Sequence, residues 1–152
     1  MKLSEFVEPG WINLDLPGET KDGVLSALVN VLAEGGVIQQ PAPLLNSLRE
    51  REGLGSTGIT HGVAIPHGRS PEISRPTLVI ARSRAEVDFE AMDGEPTRLF
   101  FLLVAPENGA SEHLHILARI ARLVRHADCR NRLLTVQTPA EVLSILEEQE
   151  GG

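Results

Sequence analysis

His67 stands in the part of the sequence best suited to chemistry. It follows Ile65 and Pro66 and precedes Gly68, in the stretch VAIPHG. Proline fixes its own φ and pushes the residue before it into an extended conformation, so a strand is predicted to end by presenting His67, with Gly68 permitting a sharp departure of the chain. Neutral imidazole is a nucleophile near pH 7 and can accept a phosphoryl group. A histidine simply held in a turn is the alternative interpretation.

Arg51 and His113 have the chemistry that would support a phosphoryl group on His67. The planar guanidinium of arginine binds phosphate oxygens at two points, and a second imidazole can donate to the same oxygens. On a helical wheel of about 100° per residue, His113 falls in the apolar stripe of its helix and His115 falls about 200° away, on the exposed side. A core histidine satisfied by a hydrogen bond is the alternative for His113.

Two other kinds of site are tested by the spacing of glycines and histidines. Residues 53–58, GLGSTG, match G-x-G-x-x-G, but a dinucleotide fingerprint needs a strand before the loop and a helix after it. Here the order is inverted, which excludes that interpretation. His113 and His115 point to opposite sides of a helix and cannot share a metal, and Cys129 and His126 follow no zinc spacing. No metal or cofactor is therefore expected.

Composition and charge limit the class of protein. The 152 residues suit one domain over residues 1–152, with 41% apolar and 3% aromatic residues and a net charge of −7, which argues against binding of nucleic acid. The single cysteine, Cys129, the lack of a signal peptide and the short apolar runs predict a cytoplasmic protein without membrane insertion. A basic run is either a solvated helix face or a docking patch: Arg119, Arg122, Arg125, Arg130 and Arg132.

The elements that must position these residues follow from periodicity and from turn signals. Apolar runs indicate a short strand and three extended segments, the last two buried on both faces: 11–16, 62–65, 77–82 and 98–104. Helical spacing, capping residues and helix-starting prolines predict five helices: 20–34, one from Pro41 to before Gly53, 111–126, 128–136 and 139–148. Helices on both sides of interior strands predict a single-sheet α/β domain.

Two stretches resemble a known family. The motif GSTGITHGVAIPHG, preceded by R-E-x-L, and the later stretch LFFLLVAPENGASEHLHILARIARL are similar to enzyme IIA of the fructose/mannitol class of the phosphoenolpyruvate-dependent phosphotransferase system. The E-H-L-H form looks most like the nitrogen-regulatory branch. The resemblance implies a five-stranded mixed, mostly parallel sheet between helices. It also implies that His67 accepts phosphate at Nε2, that Arg51 neutralises the phosphate, and that His113 lies beside the ring.

The resemblance also implies partners and further site residues. The phosphate donor would be HPr or its nitrogen-branch counterpart. The output would be regulation of the nitrogen/potassium type or transfer to a separate IIB protein. The alternative class is a regulatory binding module that associates with a transporter, a kinase or transcription machinery. Thr57, His61 and Gly68 are predicted to support the phosphate from the loop. His61 stands where the nitrogen branch usually has asparagine, so a further titratable group near the site is expected to add pH dependence.

Overall fold

The computed structural model describes residues 2–108 and 110–151. Its strands are β1 (Ile12–Leu16), β2 (Val63–Ala64), β3 (His67–Arg69), β4 (Thr77–Val87) and β5 (Thr97–Ala105). Its α-helices are α1 (Lys21–Glu34), α2 (Pro41–Gly53), α3 (Ala110–Leu123), α4 (Ala127–Thr135) and α5 (Pro139–Gly151). Two 3₁₀ turns, Leu3–Phe6 and Pro9–Trp11, precede β1.

The strands of the described residues form one mixed sheet, which confirms the predicted α/β architecture. The order is β1-β4-β5, with β2 and β3 following one another along the other side of β5. The pairs β1–β4, β2–β5 and β3–β5 are parallel, and only β4–β5 is antiparallel. Residues 63–69 therefore form a single edge of the sheet, interrupted between Ala64 and His67.

Helices cover both faces of the sheet. On β5, Phe101 and Leu103 pack into the layer that includes α3, α4 and α5, whereas Phe100 and Leu102 pack into the layer of α1 and α2. Strands buried on both faces read as continuous apolar sequence, because successive side chains point to opposite faces and both faces are dry. The prediction of covered central strands is confirmed.

Local signals at the helix starts behave as expected. Thr20 caps α1, where its side chain accepts a hydrogen bond from the backbone N–H of Gly23 at 3.0 Å, and Pro41 is the first residue of α2. Proline suits that position because its missing N–H would have no partner there. The start of α2 matters for function, since this helix ends at the candidate site.

Several predicted boundaries are wrong in length. The segment predicted over 62–65 contains only a two-residue strand, and β3 was not predicted as a separate strand. Strand β4 runs to Val87 rather than to Arg82. The predicted strand stopped at Arg82 because buried and exposed side chains alternate beyond that residue, instead of forming an apolar run. Helix α3 ends at Leu123, three residues before His126.

The arginines of the basic run make different kinds of contact. Arg119 pairs with Glu150 and Arg132 with Glu148, while Arg130 donates to the carbonyl oxygens of Val124 and Arg125 at the end of α3. Cys129 is fully buried, and burial raises the pKa of its thiol to about 11. No helix in the described ranges is both long enough and apolar enough to cross a bilayer.

Candidate active site

The candidate site lies at the break in the edge of the sheet. Pro66 separates β2 from β3 and has no N–H to donate, which an edge position tolerates. Its carbonyl accepts the N–H of Leu103 at 3.0 Å, so the edge stays attached to β5 through the break. His67 is the first residue of β3 and pairs with Leu103. The prediction that a strand ends immediately before His67 is wrong in this respect, since a second short strand begins there.

Two hydrogen bonds define the tautomer of His67. Its Nδ1 lies 3.0 Å from the carbonyl oxygen of Ile65, and its Nε2 lies 3.1 Å from Nε of Arg51. A carbonyl oxygen only accepts and a guanidinium only donates, so Nδ1 carries the proton and Nε2 presents its lone pair. Burial of the half-buried ring, together with the charge of Arg51, lowers the pKa of His67, although the Ile65 carbonyl opposes the shift. The ring is therefore neutral at pH 7.

Arg51 is held in the last turn of α2. Its Nε donates to Nε2 of His67, and its Nη1 donates to the carbonyl oxygen of Gly55 at 2.9 Å. The second bond ties the guanidinium to the loop that follows the helix. Gly55 has a φ of +141°, a conformation that glycine adopts readily and other residues rarely do. The structure thus brings together Arg51 and His67, sixteen residues apart, as the sequence analysis expected.

His113 faces His67 from α3. The centroids of the two rings are 5.2 Å apart, with the rings nearly perpendicular. His113 is only 8% exposed, and its buried Nδ1 has no hydrogen-bond partner among the described residues. Burial, and secondarily electrostatic interactions with His67 and Arg69, lower its pKa to about 4. The wheel-based prediction that His113 is buried and His115 exposed is confirmed.

Gly68 serves the site by packing, and the predicted sharp departure of the chain at Gly68 is wrong, because this residue lies within β3. An added Cβ would lie 2.9 Å from Cδ2 of Leu48 and 2.9 Å from Oγ of Ser47 on α2. The same serine hydroxyl accepts the N–H of Arg69 at 3.0 Å. The absence of a side chain at Gly68 therefore allows α2, which carries Arg51, to approach the strand that carries His67.

We expect Gly68→Ala to destabilise the protein by about 1–3 kcal/mol, because the new methyl group overpacks the contact between β3 and α2. Urea unfolding of the variant and the wild type measures the difference. Gly53→Ala is the matched control, since a Cβ at Gly53, the last residue of α2, meets nothing within 4 Å. Equal stability of Gly68→Ala and wild type would contradict this packing role.

Glu52 and Lys21 belong to the surroundings of the site and were missed by the sequence analysis. Glu52 accepts hydrogen bonds from both the backbone N–H and the hydroxyl of Thr57, and Lys21 Nζ lies 2.9 Å from Oε1 of the same carboxylate. Thr57, predicted to support a phosphate, is buried and directed to Glu52. The position of Glu52 directly after Arg51 could have drawn attention to it, but its pairing with Lys21 of α1 depends on the fold.

His61 lies in an exposed turn. Its backbone N–H donates to Oδ2 of Asp93 at 3.0 Å, and its φ is +59°. Histidine, like asparagine and aspartate, adopts this left-handed conformation more often than most residues do, so His61 suits the turn. Within the described ranges, no hydrogen bond or ring contact joins His61 to His67. A direct electrostatic effect of His61 on His67 stays a prediction.

Comparison with known proteins assigns a family to this arrangement. Residues 5–149 match the family model described as "Phosphoenolpyruvate-dependent sugar phosphotransferase system, EIIA 2". The chain belongs to this family. The predicted resemblance is confirmed over nearly the whole sequence, and membership in the EIIA family implies a part in phosphotransfer.

Individual relatives of this EIIA protein have two kinds of name. It is 36% identical over 137 residues to the PTS system fructose-specific EIIA component of Haloferax volcanii, covering 90% of this chain and 89% of that protein. It is 34% identical over 152 residues to a nitrogen regulatory protein of Pseudomonas aeruginosa, covering 100% and 99%. The crystal structure of nitrogen regulatory protein IIA-Ntr from Neisseria meningitidis superposes with a TM-score of 0.87 at 35% identity, covering 95% and 98%.

Three large apolar side chains of the EIIA domain are exposed on segments that carry the site. Leu54 is 86% exposed and lies three residues after Arg51. Leu114 is 66% exposed and follows His113. Met92 is 78% exposed, and its backbone N–H donates to the carbonyl oxygen of Gly58 in the site loop. Each of the three lies on a segment that carries a residue of the site or bonds to its loop, and apolar side chains exposed there favour contact with another protein. We call these three residues the apolar rim.

Proposed function

We propose that this EIIA protein accepts a phosphoryl group on Nε2 of His67 from an HPr-type phosphocarrier in the cytoplasm. The observation that carries the proposal is the pair of hydrogen bonds at the imidazole, with Nδ1–H donating to Ile65 and Nε2 facing the guanidinium of Arg51. These bonds leave Nε2 unprotonated, and its lone pair accepts a hydrogen bond from a permanently charged guanidinium. A neutral nucleophile beside a phosphate-binding cation is what phosphoryl transfer to histidine requires.

The proposed transfer exchanges one N–P bond for another. The lone pair of His67 Nε2 attacks the phosphorus of a phosphohistidine on the carrier, the carrier's N–P bond breaks, and its electron pair returns to the carrier imidazole. The ring of His67 keeps the proton on Nδ1, so positive charge develops there as the new bond forms. The carbonyl oxygen of Ile65, 3.0 Å from Nδ1, stabilises that charge.

Arg51 and His113 would then act on the phosphoryl oxygens. Arg51 Nε donates to Nε2 of His67 in the free protein, and it must pass from the ring nitrogen to a phosphoryl oxygen when that lone pair is used. His113 is neutral because its pKa is about 4, so one of its ring nitrogens carries a proton. Nδ1 is buried without a hydrogen-bond partner in the described part of the chain. With its proton on Nε2, the ring of His113 would donate a hydrogen bond to the phosphoryl group and would have no lone pair at Nε2 with which to accept that group itself.

Intact mass spectrometry tests the proposed function. Wild type and His67→Ala are incubated with phosphoenolpyruvate, enzyme I and HPr, and the activity of the carrier proteins is verified on a known EIIA. We expect one acid-labile phosphoryl group on the wild type and none on the variant. A phosphoryl group on both proteins, or on neither, would contradict the assignment of His67.

The apolar rim predicts that the donor is a protein. We expect Leu54→Ser combined with Leu114→Ser to lower kcat/KM for transfer from phosphorylated HPr roughly tenfold, because central apolar contacts dominate protein interfaces. Hydrolysis of the phosphohistidine should stay unchanged, since both side chains are exposed. Ala118→Ser, an exposed position on α3, is the control. An unchanged kcat/KM in the double variant would show that the apolar rim is not part of the docking surface.

We further propose a regulatory output of the nitrogen type, supported by the full-length match to a nitrogen regulatory protein and by the similarity to the IIA-Ntr structure. Phosphorylation adds negative charge and acceptor oxygens, which can create or break an interface with a transporter or kinase. The fructose-specific relative supports a second candidate, transfer to a IIB protein. Mixing the phosphorylated protein with a fructose-type IIB separates the two, because only the second candidate predicts rapid loss of phosphate to IIB.

A further inference from the structure

Glu52 is a buried carboxylate immediately after Arg51. Its side chain is 6% exposed. Oε1 accepts the backbone N–H of Thr57 at 3.0 Å, and Oε2 accepts the hydroxyl of the same residue. A buried carboxylate must be compensated by hydrogen bonds and a positive charge. Both oxygens of Glu52 are used, and both are used on the loop next to the site.

Lys21 supplies the compensating charge from α1. Its Nζ lies 2.9 Å from Oε1 of Glu52 and 3.1 Å from Oε1 of Glu90, and 4.9 Å from the centre of the Phe89 ring. Burial disfavours the charge on Lys21, but the hydrogen bonds to Glu52 and Glu90 outweigh it, so the pKa of Lys21 is raised. The ammonium group therefore stays charged at physiological pH, and α1 is connected to the end of α2 through Glu52.

A continuous set of hydrogen bonds leads from Glu52 to His67. Thr57 is held by Glu52, and its carbonyl oxygen accepts the backbone N–H of Ile65 at 3.1 Å. The carbonyl oxygen of Ile65 in turn accepts Nδ1–H of His67 at 3.0 Å. The atom that fixes the tautomer of His67 thus belongs to a peptide that is itself oriented by Thr57. On the other side, Arg51 precedes Glu52 in the chain and contacts Nε2 of the same ring.

We propose that Glu52, anchored by Lys21, is a positioning residue that sets the orientation of His67 through Thr57 and Ile65 for the transfer proposed above. Glu52 does not contact the reacting nitrogen. Its carboxylate fixes the loop after α2, and thereby both the carbonyl that holds Nδ1 and the turn that Arg51 contacts through Gly55. Displacements of about 1 Å at a reacting group lower rates by about 10²-fold. The inference rests on the proposed function of His67.

The charge of Glu52 gives a second, independent readout. Burial and Arg51 lower the pKa of His67, and the negative charge of Glu52 acts in the opposite direction. The groups that face this ring are Arg51 and Glu52 at the end of α2 and His113 on α3. Removing the charge of Glu52 should therefore lower the pKa of His67 further. A side chain too far from the ring to act on it would not shift this titration.

The test compares Glu52→Gln with Glu50→Gln, a matched control at an exposed position on the same helix. NMR titration of the ring of His67 in the unphosphorylated proteins is expected to show a lower pKa in Glu52→Gln alone. Phosphorylation by HPr is expected to be about tenfold slower or worse in Glu52→Gln and indistinguishable from wild type in Glu50→Gln. Thr57→Val and the double variant Glu52→Gln/Thr57→Val complete a double-mutant cycle. Non-additive losses of phosphorylation rate in this cycle indicate that Glu52 and Thr57 act together.

The outcomes separate this inference from the proposed function. An unchanged titration of His67 in Glu52→Gln would overturn the positioning role, and this measurement needs no phosphate donor. Phosphorylation of Glu52→Gln at the same rate as the wild type would also overturn the positioning role, while leaving His67 as the acceptor. Absence of phosphoryl transfer to the wild type would instead count against the proposed function, with the titration still deciding whether Glu52 controls the ring.

Discussion

Arg51→Lys is expected to slow phosphorylation of His67 by roughly 10²–10³-fold, the usual cost of removing one well-placed donor from a transition state. Lysine keeps the positive charge but has no planar group. Its donors all lie on one nitrogen, whereas the guanidinium donates to Nε2 of His67 and to the carbonyl of Gly55 from two separate nitrogens in a fixed plane. Rapid-quench measurement of transfer from phosphorylated HPr gives the rate directly.

Arg49→Lys is the matched control for this prediction. Arg49 lies two residues earlier on α2 and makes a comparable two-point contact, with Nε and Nη2 donating to the carboxylate of Asp22. That pair is exposed, and exposed ion pairs contribute little to stability. The control should therefore transfer phosphate at the wild-type rate. Equal rates for Arg51→Lys and Arg49→Lys would mean that charge alone suffices and that the geometry of Arg51 is not used.

The stability of the wild type is expected to fall by about 2 kcal/mol between pH 7 and pH 5 through His113 alone. Its pKa is about 4 in the folded protein, against an ordinary value of 6.5 for histidine. Between those values the unfolded chain binds a proton that the folded protein does not. Stability therefore rises with pH across this window and is lost as the pH falls from 6.5 toward 4. Urea unfolding at the two pH values measures the difference.

His113→Gln should reduce this pH dependence, while His115→Gln, two residues away at an exposed position, should leave it as in the wild type. The compared quantity is the change in the free energy of unfolding between pH 7 and pH 5, so any constant cost of burying glutamine cancels. The same slope in His113→Gln and wild type would show that His113 takes up its proton without penalty. The ring could then not be the neutral donor proposed for the phosphoryl group.

The sequence allowed much of the fold to be predicted, because its signals are local. The cap at Thr20, the helix start at Pro41 and the apolar run of β5 act within one element. Strand β3 could not be predicted in this way. It has three residues and no periodicity of its own, and it exists because β5 offers a free edge beyond Pro66. Pairing of that kind is a long-range property.

The residues of the candidate site also divide into those that could be predicted from the sequence and those that depend on long-range contacts. His67, Arg51 and His113 were predicted from their chemistry and from the resemblance to the family, and the structure brings all three together. The sharp departure of the chain predicted at Gly68 was wrong, because pairing with β5 and close packing against α2 cannot be read from the residue type. Glu52 was missed since its importance depends on Lys21, thirty-one residues earlier, and on the loop folding back to place Thr57 on its carboxylate.

Long-range ¹H–¹⁵N NMR of the imidazole rings before and after phosphorylation by HPr identifies the ring nitrogen that carries the phosphoryl group. We expect His67 in the free protein to be protonated at Nδ1, and we expect phosphorylation to change the Nε2 resonance of this ring to that of a phosphorylated nitrogen while Nδ1 keeps its proton. A phosphoryl group on Nδ1 of His67, or on any other histidine, would contradict this expectation.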